Sequence, residues 1–191
     1  MISDFPKSFY KSKKVFVRVD FNVPINIETD SIREDYRIRR AIPTIDYLID
    51  AGAKVILGSH LGRPKGKVVK NLSLRIVSRR LSELIDKEVV FVEDFIESKL
   101  AEKLDNLPNG SVVMLENLRF HKEETDNDSK FSSSLAKLAD VYVNEAFGTS
   151  HREHCSTHGM AKDFENKISG FLVDKELSFV SKMMKKPEHP F

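Results

Sequence analysis

Five short apolar runs alternate with stretches of helical periodicity along this chain, and that alternation constrains the fold more than any other feature. The runs lie at 15–21, 55–59, 89–92, 112–116 and 141–144, and several are nearly continuous in valine, isoleucine and leucine. A strand reads this way when both faces of its sheet are covered. Between the runs, Ile38, Ile42, Ile45 and Ile49 recur at helical spacing and Gly52 follows as a stop. Pro43 inside that pattern predicts a kink or a late start. Ser73 can cap a second helix that carries Val77, Leu81, Leu84 and Ile85 on one face. Leu100 and Leu104 mark a third helix, and Phe131, Leu135, Leu138 and Ala139 a fourth. Beyond Ser150 the rhythm weakens, until a last helix is expected from about 174 to 184 with Leu177, Val180 and Met184 on one side. Strands alternating with helices mean βαβ units, right-handed crossovers and a mostly parallel sheet. The expected fold is a three-layer, Rossmann-like α/β domain with helices on both faces of the sheet. A chain of 191 residues suits one such domain with a terminal appendage.

Several classes of protein are excluded early. Cys155 is the only cysteine, so no intrachain disulfide can form, which fits a reducing compartment. The first ten residues have no apolar core of a signal peptide, and no run approaches the 18 apolar residues of a membrane span. A cytoplasmic location is expected. With 31 basic and 29 acidic residues the net charge is +2, too balanced for a nucleic-acid binder. Neither common phosphate-cradling glycine loop, G-x-x-x-x-G-K-[ST] or G-x-G-x-x-G, occurs.

In open parallel sheets ligands bind beyond the carboxyl ends of the strands, so the residues that follow each run carry the functional reading. The first run leads into Asp20, Phe21 and Asn22 and, beyond a loop, Arg37, Arg39 and Arg40. The second leads into His60, Leu61, Gly62 and Arg63, the fourth into Arg119 and His121, and the fifth into His151 and Arg152. Four of five strand ends thus deliver an arginine. Arginine presents a planar fork that fits carboxylate and phosphate oxygens and stays charged at any working pH. Two such groups 4 Å apart repel by about 4 kcal/mol at an effective dielectric near 20. A converging set therefore predicts a small guest with more than one negative group. Asp20 and Asn22 suit a ligand hydroxyl instead, with Asn22 also able to donate.

Other charged features read more plainly. Arg75, Arg79, Arg80 and the lysines within 182–186 are taken as solvated faces. The tract 151–158 offers His151, His154, Cys155 and His158, but they crowd one short segment with no distant second pair to complete a tetrahedral zinc site. It reads as polar surface with one histidine near the ligand.

The same segments resemble the phosphoglycerate kinase family over nearly the whole chain. The resemblance is carried by VRVDFNVP at 17–24, RIR at 37–39, AIPTI at 41–45, GAKVILGSHLGRP at 52–64, LENLRF at 115–120, YVNEAFGTSHR at 142–152 and GFL at 170–172. It implies the N-terminal, 3-phosphoglycerate-binding domain of a two-domain kinase, spanning 1–172, followed at 173–191 by an interdomain helix and the start of a connection to a C-terminal nucleotide domain. The implied reaction moves a phosphoryl group between 1,3-bisphosphoglycerate and ADP, giving 3-phosphoglycerate and ATP. The implied substrate ligands are Asp20, Phe21, Asn22, Arg37, His60, Leu61, Gly62, Arg63, Arg119 and Arg152. Arg37 is the catalytic candidate that would steady the phosphoryl in flight. Mg-ATP or Mg-ADP would bind in the C-terminal domain, so no cofactor or metal site is expected among these residues, and the intact protein is expected to be a monomer.

Some positions depart from the family pattern. Glu145 stands where Asp is common, His189 where Arg is common, Cys155 and His158 are unusual, and 25–34 lacks the usual glycine turn. The chain alone is expected to bind 3-phosphoglycerate weakly and to show no kinase activity. A sugar-phosphate isomerase or mutase using His60 and Asp20 as an acid–base pair is the rival reading. A nucleic-acid module is a second rival, disfavoured because Asp and Glu are spread among the arginines.

Overall fold

The computed structural model describes residues 1–96 and 99–185. Six parallel strands form its central sheet: β1 (Lys14–Val19), β4 (Lys54–Gly58), β5 (Val89–Val92), β6 (Val112–Leu115), β7 (Val141–Glu145) and β8 (Lys167–Ser169). Their order across the sheet is β5-β6-β4-β1-β7-β8. A separate small hairpin pairs β2 (Ile25–Asn26) with β3 (Ser31–Ile32). The helices are α1 (Lys7–Tyr10), α2 (Tyr36–Asp50), α3 (Arg75–Ile85), α4 (Leu100–Asp105), α5 (Lys122–Asp126), α6 (Ser129–Ala136) and α7 (Phe171–Lys185).

Alternation along β1 builds two cores and hence three layers. Val15, Val17 and Val19 join Ile38, Ile45 and Leu48 of α2 and Val77 and Leu81 of α3, with Phe171 of α7 packed against them. Phe16 points the other way, with Ile56, Val113 and Tyr142, onto Leu100 and Leu104 of α4 and Phe131 and Leu135 of α6. Burial on both faces is why the strands read as continuous apolar runs. The expected α/β sandwich is therefore the observed one. Among the described residues no helix is long and apolar enough to cross a membrane.

The differences from expectation have local causes. Helix α2 runs through Pro43 without a late start. The proline leaves the Arg39 carbonyl without its intrahelical donor, but Ile38, Ala41, Ile45 and Leu48 are buried on both sides of it. Ser73 lies one residue before the N-cap of α3, yet its Oγ accepts the Arg75 N–H at 3.2 Å. In the 25–34 stretch, Asp30 takes the left-handed turn conformation, φ 45°, in place of a glycine. Asp tolerates that region better than most residues. Strand β8 was not expected, because Ile168 is its only apolar residue. Residues 186–191, which include His189 and the expected connection, lie outside the described residues.

Helix α7 starts at Phe171, three residues earlier than its own sequence suggests, because its cap is supplied from elsewhere. Thr44 Oγ1 accepts the Phe171 N–H at 3.0 Å and donates to Glu145 Oε1 at 2.7 Å. Glu145 Oε1 in turn accepts the Leu172 N–H at 3.0 Å. The other carboxylate oxygen, Oε2, is buried without a partner among the described residues, and burial pushes the Glu145 carboxyl above its usual range. Thr44→Val keeps the shape but leaves the Phe171 N–H without its acceptor and takes one of two donors from Glu145 Oε1. It is expected to cost about 2 kcal/mol, read as a lower urea midpoint with an unchanged slope.

Candidate anion site at the strand ends

The four strands whose ends deliver arginine are neighbours in space. They form the unbroken block β6-β4-β1-β7 at the centre of the sheet, and β5, which delivers none, lies at the edge. Parallel pairing puts all four carboxyl ends on one rim. The loops there are tied together by buried hydrogen bonds. Asn117, fully buried after β6, donates from Nδ2 to the Leu61 and Leu72 carbonyls at 2.8 and 2.9 Å. Its Oδ1 accepts the Leu61 and Arg119 N–H groups at 3.3 and 3.1 Å. Ser59 Oγ accepts the Phe21 N–H at 2.9 Å. Gly62 has φ 63° and bridges two loops: its N–H donates to Asn22 Oδ1 at 2.9 Å, and its carbonyl accepts from Arg119 Nη1 at 3.1 Å.

This scaffold holds a buried cluster of cationic groups. Arg119 is 7% exposed, and its Nε and Nη2 are buried with no partner among the described residues. His154 Nδ1 is likewise buried and unpaired. Burial, then the charges of Arg152 and Arg18, lower the Arg119 guanidinium to about 10. Burial, then Arg18, Arg119, Arg152 and His154, push the His60 imidazole down to about 2. Burial with Arg119, Arg152 and Arg18 brings His154 to about 4. Both imidazoles are thus neutral at pH 7. Arg18 Nη2 lies 3.3 Å from His60 Nδ1. A guanidinium can only donate, so Nδ1 accepts and the His60 proton sits on Nε2. The cluster therefore offers the Nε and Nη2 edge of Arg119 and an imidazole N–H, an arrangement that suits a multiply charged oxyanion.

The candidates named from sequence separate into groups. His60, Arg119 and Arg152 meet in the cluster. Arg37 is half-exposed and ion-pairs with Asp20, whose Oδ1 accepts the Asn22 N–H at 3.3 Å. Asn22 is exposed, and with its Oδ1 taken by Gly62 its Nδ2 remains to donate. Arg63 is exposed on the Gly62 loop and makes no ion pair with another described residue. Phe21 and Leu61 have side chains in the core and contribute backbone only. A cleft of about 400 Å³ adjoins Asp20 and Arg37 and is lined also by Arg40, Glu145 and Phe147.

Sequence reading missed Arg18 and left His154 unassigned. Arg18 is fully buried within β1, and a charge in the middle of an apolar strand was the signal. Arg80 is not a plain solvated residue. It clamps Asp35, the N-cap of α2, through Nε and Nη2 at 2.9 and 2.8 Å. Of the histidine-cysteine tract, Cys155 is buried and its Sγ donates to the Glu123 and Asp128 carbonyls at 3.1 and 3.2 Å. Among the described residues no group of three or more His, Cys, Asp or Glu is arranged to hold a metal ion. The rival acid–base pair finds no contact: His60 meets Arg18, and Asp20 meets Arg37.

A family model described as phosphoglycerate kinase matches residues 4–191. The chain is 47% identical over 189 residues to the phosphoglycerate kinase of Gloeothece citriformis and 49% identical over 189 to that of Prochlorococcus marinus, covering 99% of this chain and 47% of each relative. It is 47% identical over 190 residues to a chloroplastic phosphoglycerate kinase of Volvox carteri, of which it covers 41%. It thus spans about half the length of the curated relatives it matches. Among solved structures it is similar to phosphoglycerate kinase of Pyrococcus horikoshii, with a TM-score of 0.85 at 36% identity over 99% of this chain and 46% of that one. The Coxiella burnetii enzyme gives 0.83 at 35% identity, over 95% of this chain and 44% of that one.

Proposed function

We propose that this chain, which belongs to the phosphoglycerate kinase family, supplies the 3-phosphoglycerate half of that enzyme's active site. The observation that carries the reading is the buried Arg119 guanidinium, with two nitrogens unpartnered amid Arg18, Arg152, His60 and His154. Burying guanidinium nitrogens without partners carries a large desolvation cost that an oxyanion would offset. In the intact enzyme the reaction is phosphoryl transfer between 1,3-bisphosphoglycerate and ADP. The buried cluster, with Arg63 at its mouth, would hold the anionic groups. Asp20 and Asn22 would orient the hydroxyl, and Arg37, held by Asp20 at the open side, would face the phosphoryl being transferred. Phosphoryl transfer asks mainly for position and charge, and these residues supply both.

The magnesium nucleotide, in this reading, is held by residues outside this chain. Helix α7 supports that view: Leu177, Phe179, Val180, Met183 and Met184 expose an apolar face on the domain surface, suited to cover by a nucleotide domain. Without a nucleotide site or a closing partner to exclude water, the chain alone binds substrate and does not turn it over.

Calorimetry with 3-phosphoglycerate tests this. Arg63→Ala is expected to lose about tenfold in affinity, as for one charge-assisted contact of about 1.5 kcal/mol. Arg79→Ala on the exposed face of α3 is expected to change nothing. Arg79 is a better control than Arg80, which is tied to the start of α2. Equal losses from Arg63 and Arg79 would mean that the ligand senses net charge and not this site. Turnover of ATP and 3-phosphoglycerate by a homogeneous sample would overturn the inactivity.

A further inference from the structure

Beneath the cationic cluster lies a carboxylate that ligand binding does not explain. Glu124 of α5 is fully buried, as are Ser156 and Arg18. Its Oε1 accepts from Ser156 Oγ at 2.6 Å and its Oε2 accepts from the Ser156 N–H at 3.0 Å. Ser156 Oγ in turn accepts from Arg18 Nε at 2.7 Å. Arg18 Nη1 donates to the Val19 carbonyl, and its Nη2 meets His60. Tyr142 closes the arrangement, its hydroxyl donating to the Ser156 carbonyl at 2.9 Å. Three elements distant in sequence therefore converge to fix one guanidinium. A buried polar chain with every link satisfied specifies a single geometry, while a broken one leaves its members free to turn.

We propose that Glu124, acting through Ser156, is a positioning residue of the anion site: it locks Arg18, whose Nη2 in turn holds His60 Nδ1, so that His60 presents its Nε2–H to the bound oxyanion in one fixed orientation. The inference rests on the anion-site reading above. Ser156 is the hinge of the chain, because its hydroxyl both receives Arg18 Nε and reaches Glu124. Without that hydroxyl Arg18 keeps its charge but loses its Nε partner, so the cost falls on orientation.

The test is a double-mutant cycle on this chain, read by calorimetry with 3-phosphoglycerate well below the melting temperature. Ser156→Ala is expected to weaken binding about tenfold. In an Arg18→Lys background, where no Nε remains to be held, the same change is expected to cost less than twofold. A merely structural serine would give equal losses in both backgrounds. Glu124→Leu should lose about as much as Ser156→Ala. Glu124→Gln should recover part of it, since its amide oxygen can take the Ser156 N–H and its amide nitrogen can donate to Ser156 Oγ, which keeps Arg18 Nε while its own proton loses its acceptor. If Arg18→Lys does not fold, the Arg18 Nε–H resonance gives an independent readout: slow solvent exchange in the wild type, lost in Ser156→Ala. Wild-type affinity in Ser156→Ala with unchanged Nε–H exchange would overturn the inference alone. Absence of binding by the wild type would overturn the underlying reading instead.

Discussion

Replacing Arg119 with methionine should weaken 3-phosphoglycerate binding about a hundredfold and at the same time raise the melting temperature of the empty protein. Both effects follow from the same atoms. In the proposed complex Arg119 Nε and Nη2, buried and without a partner among the described residues, would donate to ligand oxygens. Two charge-assisted bonds at about 1.5 kcal/mol each make about 3 kcal/mol, close to a hundredfold. In the empty protein those nitrogens are desolvated among like charges. Methionine has comparable length and no charge to bury. The exchange forfeits the bond from Nη1 to the Gly62 carbonyl, worth about 1 kcal/mol, and relieves two stranded donors that cost about 1–3 kcal/mol each. A net gain of about 1 kcal/mol corresponds to about 3 °C in a domain of this size. Calorimetry and scanning calorimetry in phosphate-free buffer read the two sides separately. A variant that loses stability as well as affinity would show that Arg119 is a structural residue and not a strained ligand.

Acidification below about pH 6.5 should destabilise the empty protein through His60. An unfolded histidine titrates near 6.5, whereas burial and the surrounding guanidinium groups hold folded His60 at about 2. Between those values the unfolded chain binds the extra proton, so this contribution to stability is complete above pH 6.5 and erodes as pH falls. The slope is about 1.4 kcal/mol per pH unit, or about 2 kcal/mol by pH 5. His154, held at about 4, acts in the same direction over a narrower window. Glu124 and Glu145, whose carboxyls burial pushes up, act in the opposite sense. The His60 part is therefore read as a difference between wild type and His60→Gln. Urea midpoints at pH 7 and pH 5 should fall further in the wild type than in the variant. Saturating 3-phosphoglycerate should narrow the gap, because oxyanions beside the imidazole favour its charged form. Parallel pH profiles for the two proteins, without ligand, would refute a neutral buried His60.

The strand-end arginines were legible because position after a strand predicts position on the rim, and one rim is where the four loops meet. What the alternation could not give was the spatial order that makes β6, β4, β1 and β7 adjacent, since order is set by crossovers and not by the strands themselves. The covering helices were legible where one apolar face is repeated, as in α2 and α3. Helix α5 was missed because five residues carry no full period. The early start of α7 was invisible for a different reason: its capping groups, Thr44 and Glu145, lie 127 and 27 residues away along the chain. Arg18 was not legible because position after a strand is what marks a ligand in a parallel sheet, whereas this residue is inside β1 and reaches its place through Ser156, 138 residues on. Residues whose roles depend on long-range partners leave little local pattern.

The non-local cap on α7 also has a mechanical meaning. Glu145 is the last residue of β7, and the chain runs directly from it into the loop that carries Arg152 and His154. The same side chain grips the first turn of the helix whose far end exposes Phe179, Met183 and Met184. Helix and loop are therefore joined like a crank to its shaft. A load that tilts α7 acts on the end of β7 by a path one side chain long, without first deforming the core between them.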